Sequence, residues 1–216
     1  MTTANKRRLP PIQTTAKRHC PQTKVLIDAN DSKARLTESF LTKYEADSLL
    51  DDLLQCDSMW DTENLKCHTN KSKPRRKVSA FSDPGVSYTY SRRSETGRPW
   101  GRLASLKKSI EETLGIKVNF CHANLYQTGA VGLAWHSDDE DCIEQNSTIV
   151  SVSLGAGRDF AMRLKSDHKQ KKVVHLTHGS LLTMEGKFQS YYQHTVPLRK
   201  RVSGTRVNLT FRKINQ

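Results

Sequence analysis

The chain has 216 residues and a formal net charge of +13, from 35 Lys and Arg against 22 Asp and Glu. That length suits one well-buried domain plus a tail, and no apolar run approaches the roughly 18 residues of a membrane-spanning helix, so no membrane attachment is expected. The five cysteines are odd in number, scattered and without a C-x-x-C pair, which argues against a disulfide framework or zinc ribbon and for a reducing compartment inside the cell, nuclear or cytoplasmic.

Residues 1–34 are polar and rich in Lys, Arg, Thr and Pro. They read as a disordered basic tail without the apolar core of a secretory signal. Lys6-Arg7-Arg8 and Lys17-Arg18 are spaced either as a two-part nuclear import signal or simply as phosphate affinity. A folded domain is expected over 35–216. Thr42-Lys43-Tyr44-Glu45 has the form of a capping box, and Ala46, Leu49, Leu50, Leu53 and Leu54 then fall on one helical face. Between Asp61 and Ala80 six Lys and Arg crowd together with no aromatic residue, which predicts an exposed basic loop or hairpin. Tyr88 and Tyr90 share one face of the next strand, as core or as a stacking platform for a base.

A second helix is predicted over Pro99–Leu114, with Leu103, Leu106, Ile110 and Leu114 as its stripe and Gly115 as its terminator. Beyond it the apolar period changes to two. Strands are predicted over Lys117–Tyr126, Thr148–Leu154, Asp159–Leu164, Lys172–Thr177, Ser180–Met184 and Thr205–Arg212. Helices first and many strands after give an α+β class whose main body is a β-sandwich or barrel with helices on one side.

Trp135-His136-Ser137-Asp138-Asp139-Glu140 is the most chemically dense stretch. His136 and Asp138 project from one face if the stretch is extended. One more imidazole would complete a two-His-one-carboxylate triad with open positions for Fe(II) chemistry, whereas alone the stretch could be a hydrated acidic loop. His194, near the end of the β-region, is the natural third ligand. On the strand before this motif Asn124 and Tyr126 share a face and need polar partners if buried. On the last strand Arg206, Asn208, Thr210 and Arg212 share one face and Val207, Leu209 and Phe211 the other. Arginines on an inner face are costly unless an anion neutralises them, so this strand alone favours the apolar face inward. The clustered positive charge points to a polyanionic partner, with nucleic acid first.

Together, Asn124-Leu125-Tyr126, His136-Ser137-Asp138-Asp139-Glu140, Ser153-Leu154-Gly155 with Arg158-Asp159-Phe160, His178-Gly179-Ser180-Leu181-Leu182, His194 and Arg206 through Arg212 resemble the AlkB family of Fe(II)- and 2-oxoglutarate-dependent dioxygenases. The likeness spans most of residues 75–213 and is nearest the animal members that repair alkylated DNA and RNA. It implies a double-stranded β-helix (jelly-roll) core with N-terminal supporting helices, and a nucleotide-recognition part at about 61–98. It implies iron on His136, Asp138 and His194, and 2-oxoglutarate among Asn124, Tyr126, Arg206, Asn208, Thr210 and Arg212, so that the arginine face points inward after all. Tyr88, Tyr90, His136, Asp139 and Glu140 would meet the base. Arg75, Arg199, Lys200 and Arg201 would meet the nucleic-acid backbone.

The implied activity uses O2 and 2-oxoglutarate to oxidise the N-methyl group of a base such as 1-methyladenine or 3-methylcytosine, releasing formaldehyde and succinate. The duplex-preferring member carries an aromatic finger in the stretch comparable to Lys66-Cys67-His68, which here has none. Single-stranded DNA or RNA is therefore favoured as substrate over duplex, with the protein acting as a monomer. Two other classes remain open: an AlkB-fold enzyme acting on protein or lipid, and a non-catalytic nucleic-acid-binding module.

Overall fold

The computed structural model describes residues 22–62, 76–90 and 93–215. Its strands are β1 (Thr23–Ala29), β2 (Ser32–Thr37), β3 (Asp61–Thr62), β4 (Lys77–Ser82), β5 (Ser87–Tyr90), β6 (Arg93–Thr96), β7 (Phe120–Tyr126), β8 (Leu133–His136), β9 (Ile149–Gly155), β10 (Arg158–Leu164), β11 (Lys171–Leu176), β12 (Leu181–Gly186), β13 (Tyr192–Val196) and β14 (Arg206–Arg212). Helices α1 (Lys43–Leu54) and α2 (Leu103–Leu114) precede most of them, and the single turn α3 (Phe188–Tyr191) joins β12 to β13. One sheet has the order β1-β2-β12-β9-β14-β7-β4-β3, a second the order β11-β10-β13-β8, and β5 pairs only with β6. The pairings within these sheets are antiparallel. This is the expected jelly-roll body of two sheets with helices on one side, and no helix among the described residues is long and apolar enough to cross a membrane.

The capping box forms as predicted. Thr42 Oγ1 accepts from Glu45 N at 3.2 Å, and Glu45 Oε2 accepts from Thr42 N at 2.9 Å, so two orphan donors of α1 are satisfied reciprocally. α2 begins at Leu103, four residues later than its apolar pattern suggested. Leu103 N donates to Trp100 O and Ala104 N to Gly101 O, a tight entry turn through Gly101 at φ 50°. Its far end stops at Gly115, φ 65°, a left-handed conformation that glycine adopts without a Cβ penalty.

Both helices pack on the outer face of the large sheet, where Leu49, Leu53, Leu106 and Ile110 meet Cys121, Ala123, Leu125, Val207, Leu209 and Phe211. The alternate residues of β7 and β14 are thereby turned towards the small sheet. All seven residues of β14 are buried. The choice between an inward apolar face and an inward arginine face is a false one here: the helices bury the first and the second sheet faces the other.

Order begins earlier than residue 35. β1 and β2 form an edge hairpin on β12, although their composition is as polar as that of a tail. Asn30 and Asp31 lie at φ 56° and 53°, the pattern of a two-residue type I′ hairpin turn whose twist matches that of the strands. Only one face needs apolar residues: Leu26, Ala34 and Leu36 are in the core, while much of β1 is exposed. The predicted tail over 1–21 and the Lys66-Cys67-His68 stretch lie outside the described residues. β3 and β4 flank that stretch and pair with each other.

Candidate active site

β8 and β13 are neighbours in the small sheet, and His136 and His194 are register partners. Their rings lie 4.2 Å apart, edge to face. Asp138 follows β8, and its carboxylate oxygens stand 3.8 Å from His136 Nε2 and 3.8 Å from His194 Nε2. One ligand atom from each of the three lies within 4.8 Å of the others. His136 Nδ1 bonds the Ala134 carbonyl at 2.9 Å, which fixes the ring and leaves Nε2 for a metal. Asp138 N donates to Gln189 Oε1 at 3.0 Å. Ser137 Oγ donates to the Tyr192 carbonyl at 2.9 Å, tying the loop to β13.

Asp138 is 4% exposed, and Arg212 Nη2 donates to its Oδ1 at 2.8 Å. Burial alone would raise the carboxyl's pKa, but the Arg212 guanidinium and the two imidazoles outweigh it and hold the group well below the usual carboxylate range. It is therefore ionised at any pH the protein meets. His194 is pushed down to about 3 by burial and then by His136, so it stays neutral with its lone pair free for a cation.

That shift has a consequence for the metal-free protein. Above pH 6.5 His194 is neutral in both folded and unfolded chains and contributes nothing. Below it the unfolded chain takes up a proton that the folded chain refuses, so stability falls with pH at about 1.4 kcal/mol per unit until the folded value is reached. Urea midpoints should therefore drop between pH 6.5 and 4.5. A His194→Asn protein should lose one proton's worth of that slope; an unchanged slope would mean His194 is protonated in the fold.

A basic pocket adjoins the triad on the inner face of β7, β9 and β14. Arg206, 1% exposed, donates from Nη2 to Ser153 Oγ at 3.0 Å. Asn208 Nδ2 donates to Ser151 Oγ at 2.7 Å, and Thr210 Oγ1 to Asn208 Oδ1 at 3.3 Å. Ser151 was passed over in the sequence, and Ser153 was read only as part of the AlkB-like motif, without a role in the pocket. Their signal is a small polar residue at every second place of an otherwise apolar strand. Arg206 lies over the Tyr126 ring at 5.3 Å, and Arg158 lies 5.7 Å from the same ring. Arg158 spends its own Nη1 and Nη2 on the carbonyls of Thr128, Val131 and Pro197, so it clamps loops.

Several buried atoms of this pocket have no hydrogen-bond partner among the described residues: Nε and Nη1 of both Arg206 and Arg212, Asn124 Oδ1 and His194 Nδ1. No acidic side chain among the described residues forms an ion pair with Arg206, and burial lowers its pKa to about 10. Buried donors left without partners are costly, and a bound anion would satisfy them.

The residues expected to meet a base or a backbone are arranged less uniformly. Tyr88 is 6% exposed, stacked on Phe120 at 4.9 Å with Arg212 5.4 Å from its ring. It belongs to a small core with Val86, Ile143 and Ile214, so it offers the pocket its edge and hydroxyl rather than a free ring face. Tyr90 ends β5 opposite Arg93. Glu140 interacts with the Tyr88 hydroxyl, and burial raises its pKa against the pull of Arg212. Asp139 is exposed and paired with Lys165 Nζ at 3.2 Å. Arg199 is tied to Asp159, its Nε donating to Oδ2 at 2.8 Å, while Lys200 and Arg201 are exposed beyond it. Arg75 lies outside the described residues. His178 joins α1 to the sheet, accepting from Gly155 N at 2.7 Å and bonding Asp47 Oδ1 at 3.1 Å.

Residues 33–212 match the model of the 2OG-Fe(II) oxygenase superfamily. The chain belongs to that superfamily. Within it the chain is AlkB-like. It is 40% identical over 147 residues to the DNA oxidative demethylase ALKBH2 of Mus musculus, covering 64% of this chain and 62% of that protein. It is 35% identical over 194 residues to the alpha-ketoglutarate-dependent dioxygenase alkB homolog 3 of Homo sapiens, covering 85% of this chain and 66% of that protein. The chain thus spans somewhat under two thirds of the length of these relatives. The solved structure of OsALKBH1 shares the fold at TM-score 0.59 and 19% identity, covering 83% of this chain and 97% of that one.

The family's cofactors are Fe(II), 2-oxoglutarate and O2, and the residues of this chain suit them. The triad offers two imidazoles and a carboxylate, a donor set for Fe(II) that leaves positions open. The guanidinium N–H groups of Arg206 and Arg212 that have no partner among the described residues suit a small dianion.

Proposed function

We propose that the protein removes methyl groups from ring nitrogens of nucleic-acid bases, 1-methyladenine and 3-methylcytosine being the type substrates. The observation that carries this reading is the partly buried carboxyl of Glu140 beside the triad, on a chain whose net charge is +13. The positive chain suits a polyanion, and the acidic group suits a cationic methylated base within it. The likeness to a DNA oxidative demethylase and to alkB homolog 3 supports the same reading.

His136, Asp138 and His194 would hold Fe(II). Arg206, with Asn124 and Tyr126 beside it, would take the far carboxylate of 2-oxoglutarate, and Arg212 would lie nearer the metal end. Asn208 and Thr210 would line the pocket between them. Bound Fe(II) with 2-oxoglutarate and O2 supplies the oxidising power that converts a methyl C–H to C–OH. Arg212 keeps Asp138 ionised and fixed. The buried walls around Tyr88 and Phe120 exclude water from the methyl group. Tyr88 and Glu140 would orient the base edge, with the His136 ring, Asp139 and Tyr90 nearby. The hydroxymethylated nitrogen then loses formaldehyde by C–N cleavage and the base is restored. Arg75, Lys200 and Arg201 would contact phosphates, with Arg199 held at their side by Asp159. The region about 61–98 would recognise the nucleotide, within a domain running to the chain's end. The free cysteines Cys56, Cys121 and Cys142 fit the reducing compartment that Fe(II) needs, whether nucleus or cytoplasm.

Formaldehyde release and base restoration with both bases, in single-stranded DNA, duplex DNA and RNA, test this reading. Turnover on none of them would sink it. Single strands should be preferred, because extracting a base from a duplex costs about a few kcal/mol and Lys66-Cys67-His68 has no Phe, Tyr or Trp to fill the gap. A preference for duplex would show that this stretch does not decide the matter.

A further inference from the structure

Arg158 is a buried cation, 1% exposed, that the chemistry proposed above does not use. Among the described residues no carboxylate forms an ion pair with it, and its neighbour Asp159 is paired with Arg199 and His175. Backbone carbonyls satisfy N–H groups of Arg158 without neutralising its charge, and such a cation is costly to bury. Its place in the connectivity shows what offsets that cost.

The loop of residues 127–132 runs from Tyr126, in the basic pocket, to β8, which carries His136 of the triad. The loop of residues 197–205 runs from β13, which carries His194 of the triad, to Arg206. Each loop therefore joins the metal half of the site to the pocket half. Arg158 holds both. Its Nη1 donates to the Thr128 carbonyl at 3.3 Å, and its Nη2 to the carbonyls of Val131 at 2.8 Å and Pro197 at 2.9 Å. The loops also bond each other: Gly129 N donates to the Val202 carbonyl at 2.7 Å and Arg199 N to the Gly129 carbonyl at 2.8 Å. They approach so closely that a Cβ on Gly129 would run into the Arg199 carbonyl. A rigid planar fork can hold three carbonyls in one arrangement, which a flexible ammonium cannot.

A small dianion that meets the metal at one end and Arg206 at the other must match the distance between these halves. We propose that Arg158 is a positioning residue that sets this distance, so that the pocket favours the five-carbon 2-oxo diacid over its four- and six-carbon homologues. This rests on placing 2-oxoglutarate between the triad and Arg206, as above.

The test is isothermal titration of oxaloacetate, 2-oxoglutarate and 2-oxoadipate into the full chain loaded with Mn(II). Wild type should bind 2-oxoglutarate about tenfold or more tightly than either homologue, the discrimination that one methylene gives. Arg158→Lys keeps the charge and loses the fork. It should weaken 2-oxoglutarate by about 10- to 100-fold, the worth of one hydrogen bond to a charged group. The two homologues should change far less, so the preference closes. Mn(II) binding without any diacid should stay at the wild-type level. Gly129→Ala presses on the same junction without removing Arg158 and should narrow the preference in the same way. Arg158→Lys decides where its circular dichroism spectrum is that of wild type, and Gly129→Ala decides where it is not.

A deciding variant that keeps the wild-type spacing of the three affinities would overturn the proposal. One that weakens all three acids by a common factor would also overturn it, because that is the loss of a charge or of the fold rather than of a length. A wild type that binds the three acids alike, and more weakly after Arg206→Met, would overturn the role of Arg158 and leave the pocket standing. A wild type that does not bind 2-oxoglutarate, or binds it as tightly after Arg206→Met, would overturn the placement on which the proposal rests.

Discussion

An Asp138→Ala protein should lose metal binding and turnover together. The carboxylate supplies the one anionic ligand of the triad and is the acceptor of the Arg212 guanidinium at 2.8 Å. The loss in metal affinity should exceed the roughly 100-fold that marks the upper end for outer-shell partners. The variant is also expected to be less stable without metal. Removing one member of a buried pair strands the other charge, at a cost of about 3–5 kcal/mol. Thermal melts with and without Mn(II) separate the two effects. At 100 times its Kd, Mn(II) should stabilise wild type by about 2.7 kcal/mol and leave the variant's melting temperature unmoved. A variant still stabilised by Mn(II) would show that the metal is held elsewhere.

Arg206→Met should act with opposite signs in the absence and presence of 2-oxoglutarate. In the unliganded protein Arg206 is a buried cation that donates to Ser153, with two guanidinium nitrogens unpartnered among the described residues. A methionine of similar length removes that desolvation cost, so the unliganded protein should be as stable as wild type or more stable, by about 1–4 kcal/mol. The same change removes the cation proposed to meet the far carboxylate. Affinity for 2-oxoglutarate should fall by about 30- to 5,000-fold, the range for truncating one side of a buried charged hydrogen bond. Isothermal titration with Mn(II) present gives the affinity, and urea midpoints give the stability. A variant destabilised without ligand but unchanged in affinity would mean that Arg206 is a structural cation only.

The contrast between these two arginines shows where the sequence could be read and where it could not. Their alternation with Val207, Leu209 and Phe211 was plain, but which face turned inward was not. A two-layer picture allows one buried face, and the helices that bury the second lie about a hundred residues or more away in the chain. α1 was legible because its capping box and its 3.6-residue stripe are both local. The β1–β2 hairpin was not, since its exposed face reads like a tail and its one signal, Asn30-Asp31, is a turn rather than an apolar pattern. His136 and Asp138 announced themselves by spacing. The pairing of Asp138 with Arg212, of Asp47 with His178 and of Asp139 with Lys165 depends on register between distant strands. For Asp139 the difference matters: beside Glu140 in sequence it read as part of the pocket, and in the fold its exposed carboxylate is paired with Lys165, just past β10.

Every residue of β14 is spoken for, one side committed to the helices and the other to the proposed cofactor. Such a strand has no position that can drift without harming either stability or cofactor capture. The β5–β6 hairpin is different: among the described residues it pairs with no other strand, and it supplies the pocket with Tyr88 from one side. Evolutionary novelty in the choice of base should therefore collect in that hairpin and in the loops at the mouth. The central strand would then act as the conserved chassis on which a change of substrate is tried without risk to the chemistry.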